Sequence, residues 1–336
     1  MPKPLNRREL FAHAGIAGLP LYLGGASSLA MAQQGYPNKP IRIVVPFNAG
    51  GATDVLTRLI GDKLSARLWQ PVIVENRGGA GGIVGTDTIA KAPADGYNFV
   101  VSLNSSLLTN QFLYDRLPYN PQRDLTLVSQ FVNSPVTLVV HPGVPAKNGP
   151  ELLKYIAANK GKLSYGSWGV GSYAHLAGYS MSASQKADMV HAPYKGEAPM
   201  LQELIGGQIQ MSYASALAAK PHIEAGKLKL IGVTGLKRMA VLPNAPTLAE
   251  QGLTDEFYRI AGWIGMAAPA KTPKDIIARV SSEIQRICVM PEIVEKISSM
   301  GFTVAASTPE AFAAAYRKDY PVWERLVKTS GARLDS

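Results

Sequence analysis

Two stretches of the chain carry residue types that could do chemistry. In residues 46–58, PFNAGGATDVLTR, the small residues Gly50, Gly51, Ala52 and Thr53 separate an apolar run, Ile41 to Val45, from an apolar-periodic segment, Val55, Leu59, Ile60 and Leu64. This reads as strand, small-residue turn and helix start. The first N–H groups of a helix have no intrahelical partner and carry partial positive charge, so such a junction can seat an anion. Gly50 and Gly51 let a ligand reach the main chain with no side chain in the way. Thr53 or Asp54 can cap the helix, and Asp54 with Arg58 has the favourable i,i+4 order. No Gly-Lys-Ser/Thr follows, so the stretch is not a P-loop; a plain strand-to-helix turn would use the same residues.

Residues 163–176, LSYGSWGVGSYAHL, repeat the arrangement. Gly169-x-Gly171-x-x-Ala174 matches the GxGxxA dinucleotide fingerprint, with Asp188 as the matching acid. Asp188 precedes the next expected strand, 189–192, whereas a ribose-binding acid ends that strand, which argues against a dinucleotide. Ser167 or Ser172 with His175 could serve a hydrolase. There is no GxSxG elbow and no partnered Asp, so Ser172 reads as a helix N-cap and His175 as a packing residue. A third group of small polar residues, Asn104, Ser105 and Ser106, follows an expected strand at 99–103.

The elements that must position these groups alternate. Strands are expected at 41–45, 72–75, 99–103, 189–192, 209–212, 228–234 and 261–268 and at the start of the 163–176 stretch, with a long β-rich stretch at 127–140 broken near Ser134-Pro135. Helices fall between them and over 274–288, 293–300 and 309–328, where Phe312, Tyr316, Tyr320 and Trp323 have core spacing. The alternation predicts an α/β fold with largely parallel sheets, and such sheets bind ligands beyond the carboxyl ends of their strands. The three small-residue loops converge only if two lobes face one cleft. None carries an obvious nucleophile, a catalytic carboxylate pair or a metal triad, which favours binding over catalysis.

Composition narrows the classes further. The 336 residues suffice for two domains, and 46% hydrophobic with 17% charged content suits a globular protein. The net charge of +10 is scattered, with no Lys/Arg run and no aromatic-basic motif, so nucleic acid is not expected as a partner. One cysteine, Cys288, permits no intrachain disulfide, and the five histidines show no metal-ligand spacing. Neither a metal nor a cofactor is expected. Residues 1–32 read as an export signal: Lys3, Arg7 and Arg8, an apolar stretch at 11–23, and Ala30-Met31-Ala32 before Gln33. Arg7-Arg8-Glu9-Leu10-Phe11 partly resembles a twin-arginine signal, an ordinary secretory signal being the alternative. Export with a single cysteine predicts a bacterial periplasm.

Six segments, in order, resemble the Bug/TctC family of periplasmic solute-binding proteins, the receptors of tripartite tricarboxylate transporters. They are residues 46–58, VENRGGAGGIVGTDTIAKAPADGY at 74–97, YGSWGVGSYAHLAG at 165–178, HAPYKGEAP at 191–199, LPNAPTLAEQG at 242–252 and GWIGMAAPAKTP at 262–273. The resemblance implies a two-domain, type II-like Venus-flytrap fold with its ligand cleft between lobes. The expected lobes are 33–137 with 258–336, and 138–257, hinged near 131–140 and 258–266. It implies a non-enzymatic monomer that captures a small carboxylate (a di- or tricarboxylate, an amino acid or an aromatic acid) and delivers it to membrane transporter subunits. The implied ligand-binding residues are Phe47, Gly51, Ala52, Thr53 and Asp54 in one loop and Ser167, Gly169, Gly171 and Ser172 in the other. Asn104, Ser105, Ser106, Tyr194, Lys195, Gly196 and Trp263 are implied nearby. Tyr179 and Gln210 stand where many members carry an acid. A signalling role, in which the closed form is presented to a sensor, uses the same residues as transport.

Overall fold

The computed structural model describes residues 35–334, so the expected export signal lies outside the described residues. In chain order the strands are β1 (Ile41–Val45), β2 (Val72–Asn76), β3 (Asn98–Leu103), β4 (Leu125–Ser134), β5 (Thr137–Val140), β6 (Ser164–Ser167), β7 (Val190–Pro193), β8 (Met211–Ala214), β9 (Lys229–Val233), β10 (Gly262–Pro269) and β11 (Thr303–Val304). The α-helices are α1 (Ala52–Leu68), α2 (Ile83–Ala90), α3 (Asn110–Leu113), α4 (Pro121–Asp124), α5 (Gly149–Ala158), α6 (Tyr173–Ser184), α7 (Glu197–Ile205), α8 (Ala216–Glu224), α9 (Glu256–Arg259), α10 (Lys274–Cys288), α11 (Pro291–Ser299) and α12 (Pro309–Ser330).

The strands make two sheets. One has six strands in the order β11-β4-β10-β3-β1-β2, the other five in the order β7-β6-β8-β5-β9. Parallel pairing is confined to β1 with β2 and β3, and to β6 with β7 and β8. The expectation of largely parallel sheets therefore needs correction. β10 runs antiparallel to β3 and β4, and β5 antiparallel to β8 and β9. The reason is connectivity: β4 leads out of the first sheet into β5 of the second, and β10 returns, so these strands do not follow a βαβ crossover. Pro135, between β4 and β5, has no N–H for a ladder and marks the change of sheet.

Helix α1 also differs in detail from expectation. Its buried stripe is Leu56, Ile60, Leu64 and Leu68, a strict i,i+4 row, while Val55 is 42% exposed. This row packs with Ile284 and Ile287 of α10 against one face of the six-stranded sheet. The opposite face shares a core with the other sheet. Val44 and Val100 of the first join Leu138, Tyr165 and Tyr213 of the second, with Phe312 and Trp323 of α12 among them. Helix α12 thus packs against β4 and against α6. Phe312, Tyr316 and Trp323 are buried, as their spacing predicted, and Tyr320 is half-buried against Phe112.

Candidate functional site

The loop before α1 begins where β1 ends. Gly50 takes φ +81°, a left-handed conformation open to glycine, and Gly51 is the N-cap with no side-chain bond of its own. Asp54 does not cap in the expected way. Its Oδ2 accepts the Gly50 N–H at 2.8 Å, and its Oδ1 accepts from Arg58 Nε at 3.0 Å and Asn76 Nδ2 at 2.9 Å. Asn76 also donates to the Phe47 carbonyl and accepts from Arg58, tying the end of β2 to the loop. Burial pushes the Asp54 carboxyl up, but the Gly50, Arg58 and Asn76 donors outweigh it and hold the group below its ordinary value of 3.8. The i,i+4 pair with Arg58 forms as read from the sequence. Asp54, 3% exposed, therefore shapes the loop and does not offer its carboxylate to a ligand. The N–H groups of Gly51, Ala52, Thr53 and Asp54 find no acceptor among the described residues.

The loop before α6 has another construction. Ser172 is the N-cap, its Oγ accepting the His175 N–H, as expected. His175 Nδ1 accepts the Gly171 N–H at 3.0 Å, and its ring stacks on His191 of β7 at 3.9 Å and 13°. His191 Nε2 pairs with Ser167 Oγ at 2.7 Å, and its other face meets Tyr165 at 5.1 Å. Burial pushes the His175 imidazole down to about 4; burial, and then the neighbouring His175, do the same to His191. Both rings are neutral near pH 7. The amide N–H groups of Tyr173 and Ala174, the first two helical residues, find no acceptor among the described residues.

A chain of contacts joins the two loops. A Cβ on Gly171 (φ +76°) would lie 2.3 Å from Leu113 Cδ1 in α3, so only glycine fits there. Asn110, at the start of α3, donates to the Gly81 carbonyl at 3.1 Å. Next to it, a Cβ on Gly82 would stand 3.3 Å from the Phe47 ring and 3.1 Å from Ser106 Cβ. The Gly-rich run at 77–85 therefore packs under the first loop. Tyr194 donates its N–H to the Ser167 carbonyl at 2.9 Å, and Gly196 opens α7. Lys195 is exposed and forms no ion pair among the described residues. Both oxygens of Glu197 accept from Ser215, one from its N–H and one from its hydroxyl, which joins α7 to the start of α8. Burial raises the Glu197 carboxyl despite those two bonds.

Several expected contact residues have other positions. Trp263 is 1% exposed; its indole donates to Asp319 Oδ2 at 3.0 Å and its ring meets Phe312 edge-on, so it is a core residue. Ser106 is fully buried in a chain of hydroxyls with Thr86 at 2.9 Å and Ser102 at 2.6 Å. It follows β3 directly in a π-helical turn, Ser105–Thr109, in place of an open loop. Asn104 and Ser105 stay half-buried, Asn104 beside Gly262. Ser167 is also fully buried, and it pairs with His191 and not with His175, the partner that the hydrolase alternative required. Among the described residues no carboxylate bonds to either histidine, so the Ser–His contact lacks the third member of a hydrolytic triad. The reading of the sequence overlooked His191, Glu197 and Asn110. HAPYKGEAP contains the first two, but nothing local marks their partners, which lie in other elements. Among the described residues no cluster of three or more His, Cys, Asp or Glu could hold a metal.

Residues 56–331 match the family model for the tripartite tricarboxylate transporter family receptor, TctC. Among solved structures, the chain is similar to the periplasmic binding protein BugD, with 32% identity and a TM-score of 0.75 over 90% of this chain and 100% of that one. It is similar to Rpa4515 of R. palustris with adipate, with 31% identity and a TM-score of 0.78 over 88% and 98% of the two chains. It is also similar to MatC of Rhodopseudomonas palustris with bound malate, with 28% identity and a TM-score of 0.74 over 87% and 100%.

Proposed function

The chain belongs to the TctC family of tripartite tricarboxylate transporter receptors, and from that premise we propose that it captures a small carboxylate in the periplasm and delivers it to membrane transporter subunits. The observation that carries this reading is the pair of helix starts with unpartnered N–H groups, at Gly51–Asp54 and at Tyr173–Ala174, each at a strand's carboxyl end. Aligned N–H donors and helix dipoles suit one carboxylate without an arginine clamp. The Ser172 hydroxyl caps α6 beside its free donors, Thr53 is a buried first-turn residue of α1, and the exposed Lys195 offers a cation for a second acidic group. Two similar proteins were solved with dicarboxylates, adipate and malate, which supports a dicarboxylate among the candidate ligands.

In this reading the lobes are residues 33–137 with 258–336, and residues 138–257. The change of sheet between β4 and β5 and the return into β10 support hinges there. The ligand binds one lobe of an open form and shifts a pre-existing equilibrium toward closure by the contacts it makes with the other. A thermal-shift screen of the chain from Gln33, unfolded and refolded to strip co-purified ligand, tests the reading against mono-, di- and tricarboxylates and amino acids. A ligand at about 100 times its Kd stabilises the native state by about 2.7 kcal/mol. A shift confined to one carboxylate class is the expected result; no shift across the panel would remove the carboxylate assignment.

A further inference from the structure

Three helices begin at one edge of the second sheet. β6 lies between β7 and β8 and runs parallel to both, so α7, α6 and α8 all start beyond the ends of these neighbouring strands. Helix α6 packs on the sheet face that carries Tyr165 and Tyr213. Helices α7 and α8 pack with Ala214 on the opposite face. The starts of α6 and α8 are capped alike. Ser172 and Ser215 are both extended N-caps, and each hydroxyl accepts the N–H three residues on, from His175 and from Ala218.

The two starts differ in what else meets them. At α6 the Tyr173 and Ala174 N–H groups find no acceptor among the described residues. At α8 a carboxylate of the chain itself is seated. One Glu197 oxygen accepts the Ser215 N–H, and the other accepts the Ser215 hydroxyl at 2.8 Å. No cation takes part: burial raises the Glu197 carboxyl, and only the two Ser215 donors oppose it. Glu197 is therefore an anion held at a helix start by one N–H and one hydroxyl, the chemistry that the carboxylate reading gives to α6. A ligand carboxylate that approaches Ser215 finds its N–H taken and meets a like charge.

We propose that Glu197 is a specificity-determining residue: it fills the anion seat at the start of α8 and leaves a ligand's second acidic group the Lys195 side of the cleft. The proposal rests on the carboxylate reading and deepens it. β7 and β8 flank β6 on opposite sides, so Lys195, just past the end of β7, and Ser215, just past the end of β8, lie to either side of the loop before α6. The exposed ammonium attracts a second carboxylate on one side. The Glu197 charge turns it away on the other.

Glu197→Ala empties the seat and keeps Ser215; Glu197→Gln fills it without charge and keeps the shape, so it carries the test if the first variant folds poorly. At pH 8, sodium acetate is titrated against sodium chloride at equal ionic strength. Glu197→Ala should melt lower than the wild-type chain by about 2–4 °C, and acetate should restore more of that loss than chloride does. The Ser215 amide resonance should shift saturably with acetate in Glu197→Ala and stay still in the wild-type chain. A Ser215 resonance that ignores acetate in Glu197→Ala, or follows it equally in the wild-type chain, would overturn the seat. Adipate and hexanoate, equal in length and different by one carboxylate, are then titrated into the wild-type chain and Glu197→Gln by calorimetry. The ratio of adipate to hexanoate affinity should rise by at least about three-fold in the variant; an unchanged or lower ratio would overturn the specificity role. No heat from either acid in either protein would count against the carboxylate reading of the cleft, while the acetate response at Ser215 would still support the seat.

Discussion

The loop before α1 is held by ions, and the loop before α6 by neutral rings. In the first, the Asp54 carboxylate collects Gly50, Arg58 and Asn76. In the second, His175 and His191 stack, and each accepts or shares a bond with the loop through an imidazole nitrogen. Both loops are tied by side-chain hydrogen bonds from neighbouring elements. Both leave the first helical N–H groups without a protein acceptor. One geometry can thus be built from charge or from uncharged hydrogen bonding, and the two respond differently to pH.

The largest effect expected is on binding. Ser172→Trp places a bulky ring among the N–H groups of α6, and affinity should fall by more than about 100-fold, or roughly 2.7 kcal/mol. Loss of the cap should cost only about 1 kcal/mol of stability. Calorimetric titration beside a melting curve checks this; retained affinity in a folded variant would sink the site assignment. The next effect is on the ionic loop. Asp54→Ala strands Arg58, Asn76 and the Gly50 N–H around a buried position, and a stability loss of about 2–4 kcal/mol is expected in urea unfolding. A loss below about 1 kcal/mol would mean that the charge network does not hold the loop.

The pH response separates the two loops. The folded-state value of both histidines lies near 4, below their ordinary 6.5, so the unfolded chain binds protons first as pH falls. Their contribution is whole above pH 6.5 and is lost as pH falls from there toward 4, by up to about 1.4 kcal/mol per pH unit for each histidine. Asp54 is shifted down from 3.8, so its contribution is whole above that value and is lost only on further acidification. Urea unfolding from pH 8 to 4 should show the first loss, and His191→Phe should reduce its slope. An unchanged slope in that variant would break the contrast. The smallest effect is expected at Lys195. Lys195→Ala should leave the melting temperature within about 1 °C, since the ammonium has no ion pair among the described residues. It should weaken dicarboxylates a few-fold more than monocarboxylates, and equal weakening of both would remove the second-charge reading.

Much of this was readable because it is local. The glycine turns, the Ser172 cap, the Asp54–Arg58 pair and the core spacing of Phe312, Tyr316 and Trp323 each involve residues within one turn or one helix face. Helix geometry alone sets those relations. Other features depended on contacts distant in sequence. Asp54 and Asn76 are 22 residues apart, and Ser167 and His191 are 24 apart. Neither pairing has a spacing rule, so Asp54 and Ser167 looked available to a ligand when each was already bonded.

By itself the sequence determined where strands pass into helices through small residues, and hence where unpartnered N–H groups occur. Backbone hydrogen bonding at a helix start requires those orphans wherever the helix begins. The directions of β4 and β10, the burial of Trp263 beside Asp319 and the stacking of His175 on His191 were decided only by the tertiary structure. Those features follow from which faces meet when two sheets share one core, and no local propensity encodes which distant side chain fills a given space.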